Sequence, residues 1–216
     1  MADWESLKNH QNALIRKALE GSVFVAPYSA TGITSVTGSD SSLNALPAGY
    51  EDVGFISDDG AQFSRDVDSS DVTSWGSVEP TRRDITSDVT TLQIAMQETK
   101  KTTIGLYTGA DMSAVTADAS SGEVQVEKPD RPAAKYYRVL SVAVDLSDAG
   151  DIYVCRYLPR ASVTDFDDQA FQSSDDDPIL WSVTMTGYND AASGFSERYQ
   201  FGGPGWKALL GAMGFS

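Results

Sequence analysis

Between Asp88 and Thr99 the chain reads DVTTLQIAMQET, and within it Leu92, Ile94 and Met96 alternate with Thr91, Gln93, Ala95 and Gln97. A period of two places the first set on one side of an extended backbone and the second on the other. A helix would scatter both sets around its axis. The segment therefore predicts a strand with one apolar face and one polar face, as in antiparallel sheets that are solvated on one side. The polar face carries no charge.

Further strand signals follow the same logic. SVFVAP (22–27) is one, and DVGFIS (52–57) leads through the turn residues Asp58 to Gly60 into AQFSRDV (61–67). SDVTSW (70–75), EVQVEK (123–128), ILWSVTMTGYN (179–189) and ERYQF (197–201) add to the count. Residues 135–147 and 151–163, rich in β-branched and aromatic side chains, flank Asp148 to Gly150 and predict a long hairpin.

Helical spacing is confined to three places. Trp4, Leu7, Leu14, Ile15, Ala18 and Leu19 form one stripe that stops at Gly21. A short helix is expected over 99–107, closing at Gly109. Another starts near Pro204, carries Trp206, Leu209, Leu210 and Met213 on one face, and stops at Gly214. Residues 31–42 and 110–122 are small and polar, hence loop, the first of them mobile. The fold class expected is mainly β: an antiparallel β-sandwich or part-barrel of roughly eight strands with flanking α-helices. It is read as one domain over 1–216, with 1–21 an N-terminal helix or arm, 22–201 the sandwich and 202–216 a C-terminal helix.

Several chemistries are excluded at this level. The formal net charge of −15 argues against any general affinity for nucleic-acid phosphates, which depends on Lys and Arg releasing counterions. The single cysteine, Cys155, rules out an intrachain disulfide and a multi-cysteine zinc site; its setting, DIYVCRYL, suits a small buried hydrophobe. The single histidine, His10, falls on the polar side of the first stripe, so no nucleophile has a histidine base. No phosphate-binding glycine loop is present, and GGPG (202–205) reads as a helix entry. TDFDDQ (164–169) and SSDDDP (173–178) lack the glycine and glutamate positions of a calcium loop. They read as solvated acids or acids awaiting a basic partner. Neither an enzyme nor a cofactor or metal is expected. No signal-peptide pattern and no membrane-length apolar run is visible, so use without secretion and without a membrane partner is expected.

The few basic residues are clumped as Arg16-Lys17, Arg82-Arg83 and Lys100-Lys101. The stretch WGSVEPTRRDIT (75–86) is too long and too charged for a tight hairpin turn. Trp and Arg dominate interface hot spots, so this stretch is the candidate contact site.

Six pieces of the sequence carry a resemblance: IRKALEGSVFVAPYSA, LPAGYEDVGFISDDG, SRDVDSSDVTSWGSVEPTRRDITSDVTTLQ, MQETKK, LPRASVTDFDDQAF and YQFGGPGWKALLGAMGF. In one order, from Ile15 to Phe215, they resemble the major tail protein, or tail-tube subunit, of long-tailed phages with flexible non-contractile tails, especially phages of actinobacteria. The resemblance implies a β-sandwich subunit assembled as six-membered rings that stack into a hollow tube. It implies no catalytic residues. It implies location in the virion tail, assembly in the host cytoplasm, and partners among tail tip or baseplate, tape-measure and tail terminator proteins. It also implies that the loop at 76–88 reaches a neighbouring ring.

On that basis Trp75 is expected to anchor the loop's base in its own subunit, while Glu79, Arg82, Arg83 and Asp84 contact the next ring. Asp165, Asp167 and Asp168, or Asp175, Asp176 and Asp177, are the candidate acidic partners. A ring of six subunits giving four strands each would close about 24 strands, spaced ~4.8 Å and tilted ~40°, into a barrel roughly 48 Å across. That admits a DNA duplex after side chains are subtracted. Basic groups repeated along such a duct would brake the DNA. The lumen is therefore expected to be negative or neutral, lined by the face of Thr91, Gln93 and Gln97, and DNA to pass without specific binding. The competing expectation is a β-sandwich binding module, a virion adhesin or carbohydrate binder. That reading needs a row of exposed aromatics, which Trp4, Trp75, Trp181 and Trp206 do not obviously form.

Overall fold

The alternating stretch is a strand from Arg82 to Met96 (β4), with Leu92, Ile94 and Met96 fully buried and Gln93 exposed between them. The computed structural model describes residues 3–130, 133–172 and 178–215. The remaining elements are α1 (Trp4–Leu7), β1 (Glu20–Pro27), β2 (Glu51–Asp52), β3 (Gln62–Val72), α2 (Lys101–Thr108), β5 (Tyr137–Ser147), β6 (Gly150–Phe166), β7 (Trp181–Gly187), β8 (Arg198–Gly202), α3 (Pro204–Ala208) and α4 (Leu210–Met213). The chain is mainly β, antiparallel throughout, with short flanking helices. The expected 135–163 hairpin is β5–β6, and α2 ends on Gly109 in the left-handed conformation.

The strands follow the order β2-β1-β5-β6-β7-β4-β3, with β8 on β6. The two ends of this path meet through one segment. Glu51 and Asp52 pair with β1, and a few residues later Ile56 bridges Met96 of β4. Bonds from Ser57 N to Ala95 O (2.9 Å) and from Gln97 N to Phe55 O (2.8 Å) fix that junction. The sheet thus curls into a barrel around one core, in which Val23 and Val25 of β1 meet Leu92, Ile94, Val139, Leu158, Val183 and Met185. The outer edge of β3, the last strand of the path, stays unpaired among the described residues.

Alternation along the same strands feeds a second core outside the barrel. Leu140, Tyr153, Cys155 and Tyr157 face outward and are covered by Ile33 and Val36. Residues 31–42, expected to be mobile, are therefore packed over β5 and β6. Arg138 ties the cover down: its Nε donates to the carbonyls of Tyr28 (3.1 Å) and Ala30 (2.8 Å). Burial pushes the Cys155 thiol up to about 12, as suits a small buried hydrophobe.

Four expectations fail locally. The N-terminal stripe does not make a helix to Gly21. Only α1 and a turn of 3-10 helix at Asn12–Leu14 form, and Trp4, Leu7, Ile15 and Leu19 are exposed. A short amphipathic helix with nothing to pack on is marginal in water. His10 is exposed and outside α1. EVQVEK is not a strand: its propensity finds no partner strand, and a turn holds Gly122 N to Asp118 O instead. SDVTSW is no separate strand either, since β3 runs unbroken through to Val72. The C-terminal helix breaks at Leu209 into α3 and α4.

Candidate functional site

β7 accompanies β4 only from Thr91 to Met96, whereas β3 pairs with it from Gln93 back to Arg82. Arg82 to Thr90 and their β3 partners therefore form a two-stranded arm that leaves the barrel and runs about 30 Å. The expected 76–88 loop is thus only partly loop: residues 82–88 are strand, and the non-strand tip is 73–81. The sequence obscures this because the arm lacks a clean apolar alternation.

A solvated two-stranded ribbon is marginal without extra support. Here cross-strand ion pairs supply it. Arg65 donates to both oxygens of Asp88 (2.7 and 2.5 Å), and Arg83 donates to both oxygens of Asp71 (2.8 and 3.1 Å). Arg83 lies directly opposite Asp71, and Asp88 is diagonal to Arg65, whose own partner is Thr90. A one-residue bulge falls between Asp68 and Ser69. Arg82 binds Asp84 on its own strand at 2.9 Å. Both arginines of the candidate contact site thus have carboxylate partners within the arm.

The tip is a held turn. Thr81 N donates to Val72 O (2.8 Å), Ser74 and Thr81 share a hydroxyl bond (2.8 Å), and Ser77 N donates to Ser74 O (3.1 Å). Gly76 takes φ +81, with open space around it. Trp75 does not anchor the base of the loop. Its relative exposure is 106%, and it stands at the tip with no packing partner. Val78 is as exposed, and Val67, Val72 and Ile85 are exposed along the arm. Sequence reasoning passed over these four aliphatics, although three lie close to the Trp75–Thr86 stretch.

The acidic partners are placed as follows. Asp167 accepts from Gln93 Nε2 (2.9 Å) at the barrel end of β4, away from the arm tip. Asp165 accepts from Phe166 N, and Asp168 is exposed. Neither Asp165, Asp167 nor Asp168 touches Arg82 or Arg83 in this chain; Asp175, Asp176 and Asp177 lie outside the described residues. Glu79 is exposed, its carbonyl accepting from Ser77 Oγ.

Thr91 and Gln93 lie on the outward side of β4, with Gln93 the more open, and Gln97 directly follows the strand. Thr91 stands opposite Thr186 and Gln93 opposite Thr184 on β7. Across β3 the partners are Ser64 and Gln62, and Thr164 of β6 shares a hydroxyl bond with Thr186 (2.8 Å). This four-strand surface is built of hydroxyls, amides and the Asp167 carboxylate. Among the described residues, no group of three or more His, Cys, Asp or Glu is placed to hold a metal ion.

The arm pairs have a pH signature. The Arg83 hydrogen bonds hold the Asp71 carboxyl below the ordinary range, and those of Arg65 do the same for Asp88. A depressed folded value means the contribution is complete above the unfolded value near ~3.9 and is lost as pH falls through the lower folded one. Carboxyl 13C titration should show both aspartates protonating late. Arg83→Gln should return Asp71 to the ordinary range and leave Asp88 low. An unmoved Asp71 in that variant would mean the arm pair does not form in solution.

A family model described as phage tail tube protein matches residues 8–196. No curated protein matches the chain. Among solved structures, the crystal structure of an Hcp protein aligns over 83% of this chain and 97% of that one, at 10% identity and a TM-score of 0.33.

Proposed function

The chain belongs to the phage tail tube protein family, and from that premise we propose that six copies close into a ring and that rings stack into the tube through which phage DNA passes. A tail tube protein is a structural component of the virion and not an enzyme. The observation that carries the finer reading is the arm. It presents Trp75, Val78 and Ile85 to water, an arrangement that a lone soluble chain gains nothing from. In a stack, the next ring covers them.

Two features support the duct. The outward surface of β3, β4, β7 and β6 offers hydroxyls and amides, with Thr91 and Gln93 as its β4 members and Gln97 just beyond the strand. Four strands per subunit is also the number that closes a bore of the right width for about 24 strands in a ring. In a chain of net charge −15, hydroxyls and amides at these positions give phosphates no counterion-releasing partner, so the duplex slides. The tail tip or baseplate, tape-measure and tail terminator proteins are the partners this reading calls for, with assembly in the host cytoplasm.

Negative-stain microscopy of the concentrated, purified protein tests it. Rings, or tubes with a central bore, are expected. A protein that stays monomeric at millimolar concentration, in the presence of tail-tip seeds as well, overturns the proposal.

A further inference from the structure

The arm and a second feature lie at opposite ends of the subunit. β4 and β6 run the same way because each is antiparallel to β7; β5 opposes β6, and β1 opposes β5. The C-terminal ends of β4 and β1 and the N-terminal end of β5 therefore share one pole. The arm extends past the N-terminal half of β4, at the other pole. Arg82 and Met96 alone are separated by roughly 46 Å of extended chain.

At the first pole an open groove of about 680 Å³ runs between β1 and α2. Val25, Pro27, Leu106, Ala110 and Met112 make it largely apolar. Gly105 lets Met112 lie against α2, since a Cβ there would stand 2.7 Å from Met112 Cγ. A methionine wall of this kind adapts to what is laid against it. Lys101 and Lys135 also line the groove. Neither has a carboxylate within 4 Å among the described residues, and Lys101 Nζ only donates to Val115 O (3.2 Å). Glu51 and Asp111 line the groove as well, and the charges of Lys135 and Lys101 act on the Asp111 carboxyl, so what the groove offers the tip is its apolar wall.

We infer that this groove receives the arm tip of a second copy, with Trp75 and Val78 seated between β1 and α2. The inference rests on the stacking reading and supplies its missing surface. Three observations favour this occupant. The groove is of the size that takes a large side chain and its neighbours. The tip is already fixed by the Thr81–Val72 and Ser74–Thr81 bonds, so little ordering is lost when it docks. Tip and groove are unlike surfaces on opposite poles, so the contact is heterologous and each docked copy leaves a free groove or a free tip for the next. The exposed apolar segment from Trp4 to Leu19 is the rival occupant.

Disulfide trapping decides between them, because Cys155 is buried and leaves a silent background. Ser77 sits on the tip and Ser113 lines the groove, both exposed. Oxidising assembled protein that carries Ser77→Cys and Ser113→Cys in one chain should give a ladder of species well beyond dimers, at least ten-fold above either single variant. Mixing the two single variants should give dimers only. An Asn9→Cys/Ser113→Cys chain should not link. Tubes that form without a Ser77–Ser113 ladder overturn the inference while leaving the stacking reading intact, as does a ladder from Asn9→Cys/Ser113→Cys. A single variant that ladders equally overturns it too. Native protein that never forms rings or tubes removes the stacking reading itself, and the inference with it.

Discussion

Trp75→Ala is expected to abolish tube formation at concentrations where the native protein polymerises, while leaving the melting temperature unchanged. Both halves follow from the same observation. A side chain with 106% relative exposure contributes no packing to its own subunit, and substitutions at such sites usually stay within about 0.5 kcal/mol of native stability. A tryptophan buried at the centre of a contact, by contrast, commonly costs 2 kcal/mol or more when truncated. At 1.4 kcal/mol per factor of ten, one such loss weakens a single contact roughly 30-fold. A ring that repeats the contact at every subunit multiplies the effect, so the concentration needed for assembly moves out of reach. Sedimentation with electron microscopy reads the first half, and a thermal melt the second. Normal tubes from Trp75→Ala would remove the tip from the interface.

The same reasoning shows why Arg82 and Arg83 make a poorer probe than the sequence suggests. Arg83 is the partner of Asp71 across the arm, and Arg82 is held by Asp84. Reversing Arg83 sets two carboxylates face to face on a ribbon that has no other support at that position. Failure to assemble would then report a splayed arm rather than a lost contact. Trp75 is fully exposed among the described residues and avoids that ambiguity.

Residues whose role is set by their own chain were legible in the sequence. The alternation of Leu92, Ile94 and Met96 with Gln93 fixes β4 because one side of that strand faces a core the chain itself builds. Gly109 and the 148–150 turn are legible for the same reason, as local backbone geometry demands. Residues whose partners lie elsewhere were misread. Trp75, which the resemblance suggested would anchor the loop's base, is uncovered among the described residues. The stripe from Trp4 to Leu19 has helical spacing, but its end is held along β5, with Leu19 N bonded to Val144 O and Lys17 N to Asp145. The arm strand at 82–88 stayed hidden because its pairing rests on Arg65–Asp88 and Arg83–Asp71, and those pairs become visible only once the register is known. Ile33 and Val36 sit in a polar run whose composition reads as mobile; the tie that holds them starts at Arg138, more than a hundred residues away.

That tie carries the largest expected effect on folding. Arg138 is buried between the two cores, where its Nε serves the carbonyls of Tyr28 and Ala30. Its Nη1 donates to Tyr157 Oη and Pro159 O (3.2 Å each) and stands 3.9 Å from Asp190. The guanidinium also lies over the Tyr28 ring at 4.9 Å. Arg138→Met keeps the apolar stem and removes only the head, leaving several carbonyl and hydroxyl acceptors without their donor and a buried carboxylate without its counter-charge. Breaking such a buried pair costs about 3–5 kcal/mol, a large share of the 5–15 kcal/mol that holds a domain together. At about 2–4 °C per kcal/mol for a chain of this size, the melting temperature should fall by roughly 6–20 °C. Arg138→Lys should recover little, since one ammonium cannot span acceptors arranged for a planar fork. Adding Asp190→Asn to Arg138→Met should recover part of the loss, because the stranded charge is then gone. The Asp190 carboxylate also accepts from Ser193 and Tyr28, and an amide at that position cannot accept all of these bonds, so recovery should be incomplete. A loss below about 1 kcal/mol in Arg138→Met would mean that the cover over β5 and β6 is held by Ile33 and Val36 alone. Assembly of that variant should fail only in proportion to its unfolded fraction, the opposite of the pattern expected for Trp75→Ala.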